Sequence, residues 1–66
     1  MDIRSNVNVM LAKRRMTKRE LSERLGISRS TLWEWTTDDG IAQLSLAKLS
    51  RLAQVLCCNI KDLYEE

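Results

Sequence analysis

Residues 16–35 read MTKRELSERLGISRSTLWEW, and this stretch decides the fold. Thr17 and Glu20 have the spacing of a capping box, in which a hydroxyl and a carboxylate bond the free amide groups at the start of a helix. Gly26 lies where that helix should end, because glycine readily adopts the left-handed conformation that ends helices. Ser28 is a good N-cap for a second helix. The stretch therefore predicts two helices joined by a very tight turn.

The same stretch has apolar residues on one side of each predicted helix. Leu21 and Leu25 lie four residues apart in the first helix, and Leu32 and Trp35 lie three apart in the second, so all four should face a core. Trp35 in particular is predicted to be buried. Segment 17–36 therefore predicts a helix-turn-helix, whose second helix can enter a major groove of DNA. Periodicity alone leaves a plain helical bundle as an alternative.

Helical phasing continues on both sides of this motif. One helix is predicted between about residues 5 and 15, and another is predicted to begin after its N-cap, Ser45. Both should pack one apolar side against the helix-turn-helix. The apolar residues are Val7, Met10 and Leu11 in the earlier helix, and Leu46, Leu49, Leu52, Ala53 and Leu56 in the later one.

The remaining segments are short. Residues 36–44 lack helical phasing and are predicted to form a loop, whereas Asn59 and Asp62 predict a last helical turn over 60–64. No strand pattern competes with these helices. The sequence therefore predicts an all-α fold, a single compact five-helix domain that spans residues 1–66.

Composition excludes several classes of protein. A chain of 66 residues with 44% hydrophobic and 30% charged residues can fill one small core, unlike a disordered chain. Histidine is absent and the chain is too small for a roomy catalytic pocket, so we expect no enzyme, cofactor or small-molecule ligand. Two adjacent cysteines cannot complete a zinc site. A polar N-terminus and the lack of a long apolar run predict a cytoplasmic protein without a membrane segment.

Charge is distributed unevenly along the chain. Eight basic and four acidic residues precede Asp38, whereas three basic and five acidic residues lie from Asp38 onward, within a net charge of +2. Such asymmetry is expected of a molecule that presents one end to a polyanion, although ordinary solvated helix faces also produce it.

The ordered set of residues from Thr17 to Leu63 resembles the lambda-repressor-like, or Xre/Cro-type, helix-turn-helix family. The quoted stretch is similar to the motif of that family, and LSLAKLSRLAQVLCCNIKDLY, residues 44–64, looks like the two helices that follow it. The resemblance implies a five-helix domain that binds double-stranded DNA and regulates transcription on paired half-sites.

The resemblance also implies roles for single residues. The start of the second motif helix is where family members place base-reading side chains, and further positions of that helix face the groove. The base-reading candidates are Arg29, Ser30, Trp33 and Glu34. By position, Lys18 and Thr37 are candidates for contact with the phosphate backbone, and nearby positive charge adds further phosphate candidates, namely Arg14, Arg15 and Arg19.

Three positions depart from the family pattern. Trp33 replaces a residue that is usually small, so its indole either touches a thymine methyl group or a sugar, or folds back onto the protein. Thr36 replaces a frequent acidic residue that closes the following turn, and Asp38 or Asp39 is a candidate to compensate. Cys57 lies at a helix end where glycine or asparagine is usual, which predicts a strained backbone.

Two functions from different classes fit these features. The first is a small repressor or stand-alone regulator that binds DNA as a homodimer, weakly associated without DNA, because one such module buries limited DNA surface. We expect no separate dimerisation domain after residue 66, so the contact should use the last two helices, the 36–44 loop or Leu63 and Tyr64. The alternative is a protein-interaction module, such as the antitoxin of a toxin–antitoxin pair.

Overall fold

A computed structural model of the chain describes residues 2–66, most of which form short helices around one core. In chain order the elements are β1 (Arg4–Ser5), α1 (Val7–Arg14), α2 (Lys18–Leu25), α3 (Arg29–Thr36), α4 (Asp38–Ala42), α5 (Leu46–Val55), a 3-10 helix (Ile60–Asp62) and β2 (Tyr64–Glu65).

The predicted hydroxyl caps form, whereas the second half of the predicted capping box, a bond from the Thr17 N–H to the Glu20 carboxylate, does not. The Thr17 hydroxyl accepts the N–H of Glu20 at 3.1 Å, and the Ser45 hydroxyl accepts the N–H of Lys48 at 3.2 Å. The Glu20 carboxylate bonds the Thr17 hydroxyl at 3.4 Å. Because each cap satisfies an amide group that has no partner within its helix, α2 and α5 begin where predicted.

The predicted loop over 36–44 is wrong, since α4 lies within it. The Thr37 hydroxyl accepts the N–H of Gly40 at 3.0 Å and so caps a short helix. Asp38 and Asp39 lie in its first turn, where the positive end of a helix stabilises acidic side chains. Five residues are too few to display a helical period, which explains why phasing did not reveal α4.

A pair of two-residue strands was not predicted. β1 and β2 are antiparallel, with Arg4 opposite Glu65 and Ser5 opposite Tyr64. The N–H of Asn6 continues the pairing with a bond of 2.8 Å to the carbonyl oxygen of Leu63. Strands this short show no alternation of apolar residues, and they tie the two chain ends together without changing the all-α class.

The core contains most of the predicted apolar positions, with two exceptions. Its fully buried side chains come from every part of the chain: Val7, Leu21, Leu32, Leu52, Leu56 and Leu63. Leu46, predicted on the apolar edge of α5, is instead 74% exposed, because it occupies the first helical position and points past the core. Trp35, predicted to be buried, is half-buried and packs against the core with Lys48 5.8 Å from its ring centre.

The backbone at the end of α5 is strained as predicted. Cys57 has a φ of 53°, the left-handed region that favours glycine, and its thiol is exposed. Cys58 packs against the core, and burial raises the pKa of its thiol, with Asp62 adding to that effect. Both cysteines are free thiols.

Replacing Gly26 by alanine should destabilise the domain by about 1–2 kcal/mol. Gly26 has a φ of 70°, and no atom lies within 4 Å of the place that a Cβ atom would take. The cost is therefore conformational rather than steric. Urea unfolding followed by circular dichroism measures it, and Gly26→Asn is the control, because asparagine tolerates this conformation better. Equal stability of the alanine variant and the native chain would contradict the assignment.

Candidate nucleic-acid interface

The exposed side of α3 forms the candidate interface. Leu32 and Thr36 are buried on the inner side of this helix. The four side chains predicted to read bases are all exposed on the other side, where they line one shallow, open concavity. They are Arg29, Ser30, Trp33 and Glu34.

The turn before α3 fixes where its first residues point. After Gly26, the N–H of Ile27 bonds the carbonyl oxygen of Ser22 at 3.1 Å, and Ile27 packs against the core. The Ser28 hydroxyl then accepts the N–H of Thr31 at 3.1 Å and caps α3. No acidic residue lies in the first turn of α3, so Arg29 projects from a rigid, electropositive helix end.

Trp33 is exposed and is paired with a lysine from the neighbouring helix. Trp33 is 60% exposed, so its indole lies at the surface and is not part of the core. The ammonium nitrogen of Lys18 lies 4.4 Å from the centre of the Trp33 ring, a cation–π contact. Lys18 itself is half-buried, at the start of α2. The two residues thus form one unit at the edge of the concavity.

Thr37 joins the end of α3 to the start of α4 and remains a candidate for contact with the DNA backbone. Its hydroxyl donates to the carbonyl oxygen of Glu34 at 2.7 Å and accepts the N–H of Gly40 at 3.0 Å. A hydroxyl has one proton to donate, so a phosphate contact by this side chain would replace its bond to Glu34. The bonds join the end of α3 to the start of α4.

The turn after α3 is closed without an acidic residue at its start. The hydroxyl of buried Thr36 donates to the carbonyl oxygen of Trp33 at 2.7 Å. Asp38 accepts the N–H of Ser5 at 2.7 Å and so connects α4 to β1. The Thr36 and Thr37 hydroxyls thus bond the last carbonyl groups of α3, while Asp38 holds α4 against β1.

Arg14, predicted as a phosphate contact, bonds two backbone carbonyl groups within the protein. Its Nε donates to the carbonyl oxygen of Leu56 and its Nη2 to that of Cys57, both at 2.8 Å. These carbonyl groups lie at the end of α5, where no helical partner is available for them. The Arg14 guanidinium therefore caps the end of α5, and its remaining N–H groups keep it a candidate for phosphate contact.

The other basic candidates are open to solvent. Arg15 ends α1 with a left-handed φ of 52° and is exposed. Arg19 lies 3.2 Å from Glu23 across one turn of α2, and both side chains are largely exposed. Exposed pairs of this kind contribute little energy and exchange partners readily. Arg15 and Arg19 keep their predicted role as candidates.

Two features of this surface escaped the sequence analysis. The contact between Lys18 and Trp33 joins two different helices, so no local spacing reveals it. The use of Arg14 at the end of α5 depends on how distant segments pack. The helix-turn-helix motif predicts which positions lie near DNA, whereas the tertiary fold determines which charged side chains also have partners within the protein.

Two kinds of feature are absent from the part of the chain that the structure describes. Within residues 2–66, no three His, Cys, Asp or Glu side chains are grouped as a metal site. No helix in the same range has the length and apolar character needed to cross a membrane.

A protein-family profile and a solved structure each match nearly the whole chain. The sequence profile of the Cro/C1-type HTH DNA-binding domain matches residues 6–65. A crystal structure of a Bacteroides fragilis protein, described as a candidate DNA-binding protein, has a TM-score of 0.79 and 28% sequence identity to the chain. That comparison covers 96% of this chain and 98% of the other. No curated protein matches significantly.

Proposed function

The chain belongs to the Cro/C1-type helix-turn-helix DNA-binding family, and we propose that it is a small repressor that recognises a specific double-stranded DNA sequence. In this proposal α3 lies in the major groove. Arg29, Ser30, Trp33 and Glu34 then face the base edges. A regulator of this kind would work in the cytoplasm, in contact with the chromosome.

The proposal rests on the outer side of α3, where all four candidate base-reading side chains are exposed. A helix with its side chains is about 10–12 Å across, which fits a major groove about 12 Å wide. Arg29 can donate two hydrogen bonds to guanine, the commonest specific contact. Glu34 can accept from a cytosine amine and would repel phosphates elsewhere, so it favours correct sites by excluding others.

Basic side chains outside α3 would supply affinity that does not depend on sequence. Lys18 lies at the positive end of α2 and next to Trp33, where it can reach a phosphate. The other proposed phosphate contacts are exposed, and they are Arg14, Arg15, Arg19 and Thr37. Each contact by a basic side chain releases counterions, so binding should weaken steeply as salt rises.

Selection from a randomised duplex library, performed at two salt concentrations, tests this function. We expect a short, two-fold-related site to be enriched, with affinity that falls as the salt concentration increases. Binding without preference among sequences would contradict a specific regulator. An absence of binding at low salt would contradict any function on DNA.

We also propose that two copies bind one site. The domain measures 32 × 22 × 18 Å, so its single α3 cannot reach two half-sites about 34 Å apart. An apolar groove has no lining residue in α3, and exposed Leu46 lies at its edge. In the proposed two-fold dimer, each Leu46 occupies the groove of the other copy. Buried Leu63 is excluded from such a contact. The groove is lined mainly by Ile3, Ile41, Leu44, Leu49, Ile60 and Tyr64.

Leu46→Glu should weaken self-association and binding to paired half-sites by about tenfold or more, without lowering thermal stability. An acidic residue is favourable in the first turn of a helix, and Leu46 contributes little to the core. Sedimentation and DNA titration measure both effects, with exposed Ala47→Glu as the matched control. Equal association of the two variants would contradict this interface. A native chain that stays monomeric on DNA would favour another protein in the groove, as in the antitoxin alternative.

A further inference from the structure

We propose that Trp33, held in place by Lys18, recognises the C5-methyl group of a pyrimidine in the major groove. Thymine and 5-methylcytosine both present this group. The inference rests on the proposed function, since it names the chemical feature that one side chain of the α3 surface would recognise.

The position of Trp33 relative to Arg29 places it over a neighbouring base pair. The two residues are four apart in α3, so they lie on one face of the helix and are separated by about one turn, or 5.4 Å. Base pairs are stacked about 3.4 Å apart. When Arg29 contacts a guanine, Trp33 therefore reaches a base pair one or two steps away.

The chemistry of the concavity makes an apolar target the best match for Trp33. Its other lining side chains, Arg29, Ser30 and Glu34, offer hydrogen-bond donors or acceptors. The indole offers a large apolar surface and a single N–H donor. In the major groove, the pyrimidine C5-methyl group is the apolar feature that distinguishes one base pair from another.

Lys18 makes Trp33 suitable for this role by restricting where the indole lies. An exposed tryptophan on an otherwise polar helix face would sample several rotamers, which costs ordering free energy on binding. The ammonium group 4.4 Å from the ring centre covers one face of the indole and favours a single orientation. The exposed remainder of the ring stays available to DNA. Lys18 is thus a positioning residue for Trp33, in addition to its proposed contact with phosphate.

Thymine replacement in the selected duplex tests the proposal. Each thymine is replaced in turn by deoxyuridine, which removes the C5-methyl group and leaves the hydrogen-bonding groups unchanged. For the native chain we expect binding to weaken about fourfold at one position, because burial of one methyl group contributes about that much to affinity. Trp33→Ala should lose this sensitivity and keep the preference at the base pair that Arg29 contacts.

A second arm distinguishes the two sources of the methyl group. Each cytosine in the site is replaced by 5-methylcytosine. If thymine is the natural target, every cytosine replacement leaves affinity unchanged or lowers it. If 5-methylcytosine is the target, one replacement strengthens binding about fourfold for the native chain and not for Trp33→Ala.

Variants at Lys18 test the positioning role. Lys18→Met keeps the length of the side chain but removes the charge, so it should reduce the methyl sensitivity as well as overall affinity. Lys18→Arg keeps the charge and stacks on aromatic rings, so it should restore the sensitivity. A uniform loss of affinity with unchanged methyl sensitivity in Lys18→Met would show that Lys18 only contacts phosphate.

The outcomes separate this inference from the function on which it rests. If the library selection yields no site, the proposed function fails. If a site is obtained but no methyl substitution changes the affinity of the native chain, the inference alone is overturned. Sensitivity that persists in Trp33→Ala overturns it as well. Because Trp33 is mostly exposed, an unchanged circular dichroism spectrum and melting temperature of Trp33→Ala are expected.

Discussion

Replacing Arg29 by alanine should remove the preference for one base pair of the selected site, at a cost of about 1–3 kcal/mol at that position. Arg29 is exposed at the start of α3, and the Ser28 cap and the Gly26 turn fix the direction of that helix. A guanidinium at this place can donate to two acceptor atoms of guanine together, and alanine can donate to neither. Titration with duplexes that vary only at that base pair measures the loss.

Two control variants distinguish the loss of base recognition from the loss of a positive charge. Arg29→Lys keeps the positive charge but lacks the planar fork, so it should keep the salt dependence while losing part of the preference. Lys61→Ala removes one charge from the 3-10 helix, which packs against α5 and β2. It should leave base preference unchanged. If Arg29→Ala weakens binding to all sequences alike, Arg29 contacts phosphate and the assignment to a base edge is wrong.

Replacing Gly40 by alanine should destabilise the domain by on the order of 1–3 kcal/mol. Gly40 lies in α4, where alanine would ordinarily stabilise the helix by up to about 1 kcal/mol. Here the α4 backbone packs so closely on the end of α3 that a Cβ atom would overlap the carbonyl oxygen of Glu34. The backbone must move apart, which also strains the Thr37 bonds that join the two helices.

Denaturant unfolding measures the change in stability caused by Gly40→Ala. The sign of that change shows whether steric overlap or helix propensity dominates. Helix propensity and steric overlap predict changes in opposite directions. A destabilised variant would confirm the close approach of α3 and α4, whereas a stabilised one would contradict it. Ala42→Gly is the matched control, because Ala42 is exposed in the same helix and should show the effect of propensity alone.

The sequence predicted those parts of the fold that depend on local chemistry. Thr17, Ser28 and Ser45 cap their helices because a side-chain oxygen reaches an amide group three residues away. Gly26 ends α2 because of its own backbone freedom. Neither effect needs distant partners, so both can be recognised from short patterns. The outward side of α3 followed from the burial of Leu32.

Features that depend on distant packing could not be predicted in this way. Leu46 is in phase with the apolar stripe of α5, and its exposure reflects only where the neighbouring elements end. Arg14 was indistinguishable in sequence from a free cation, although it bonds carbonyl groups at the end of α5. The contact of Lys18 with Trp33 likewise requires α2 and α3 to be in their final arrangement.

A titration of the isotope-labelled chain with its selected duplex, followed by amide and indole NMR signals, tests most directly whether α3 is the reading surface. We expect the largest shifts at residues 29–34, at Lys18 and at the indole N–H of Trp33, with a much smaller change at half-buried Trp35. Shifts concentrated around Leu46 and the apolar groove, with the α3 signals unmoved, would contradict the account.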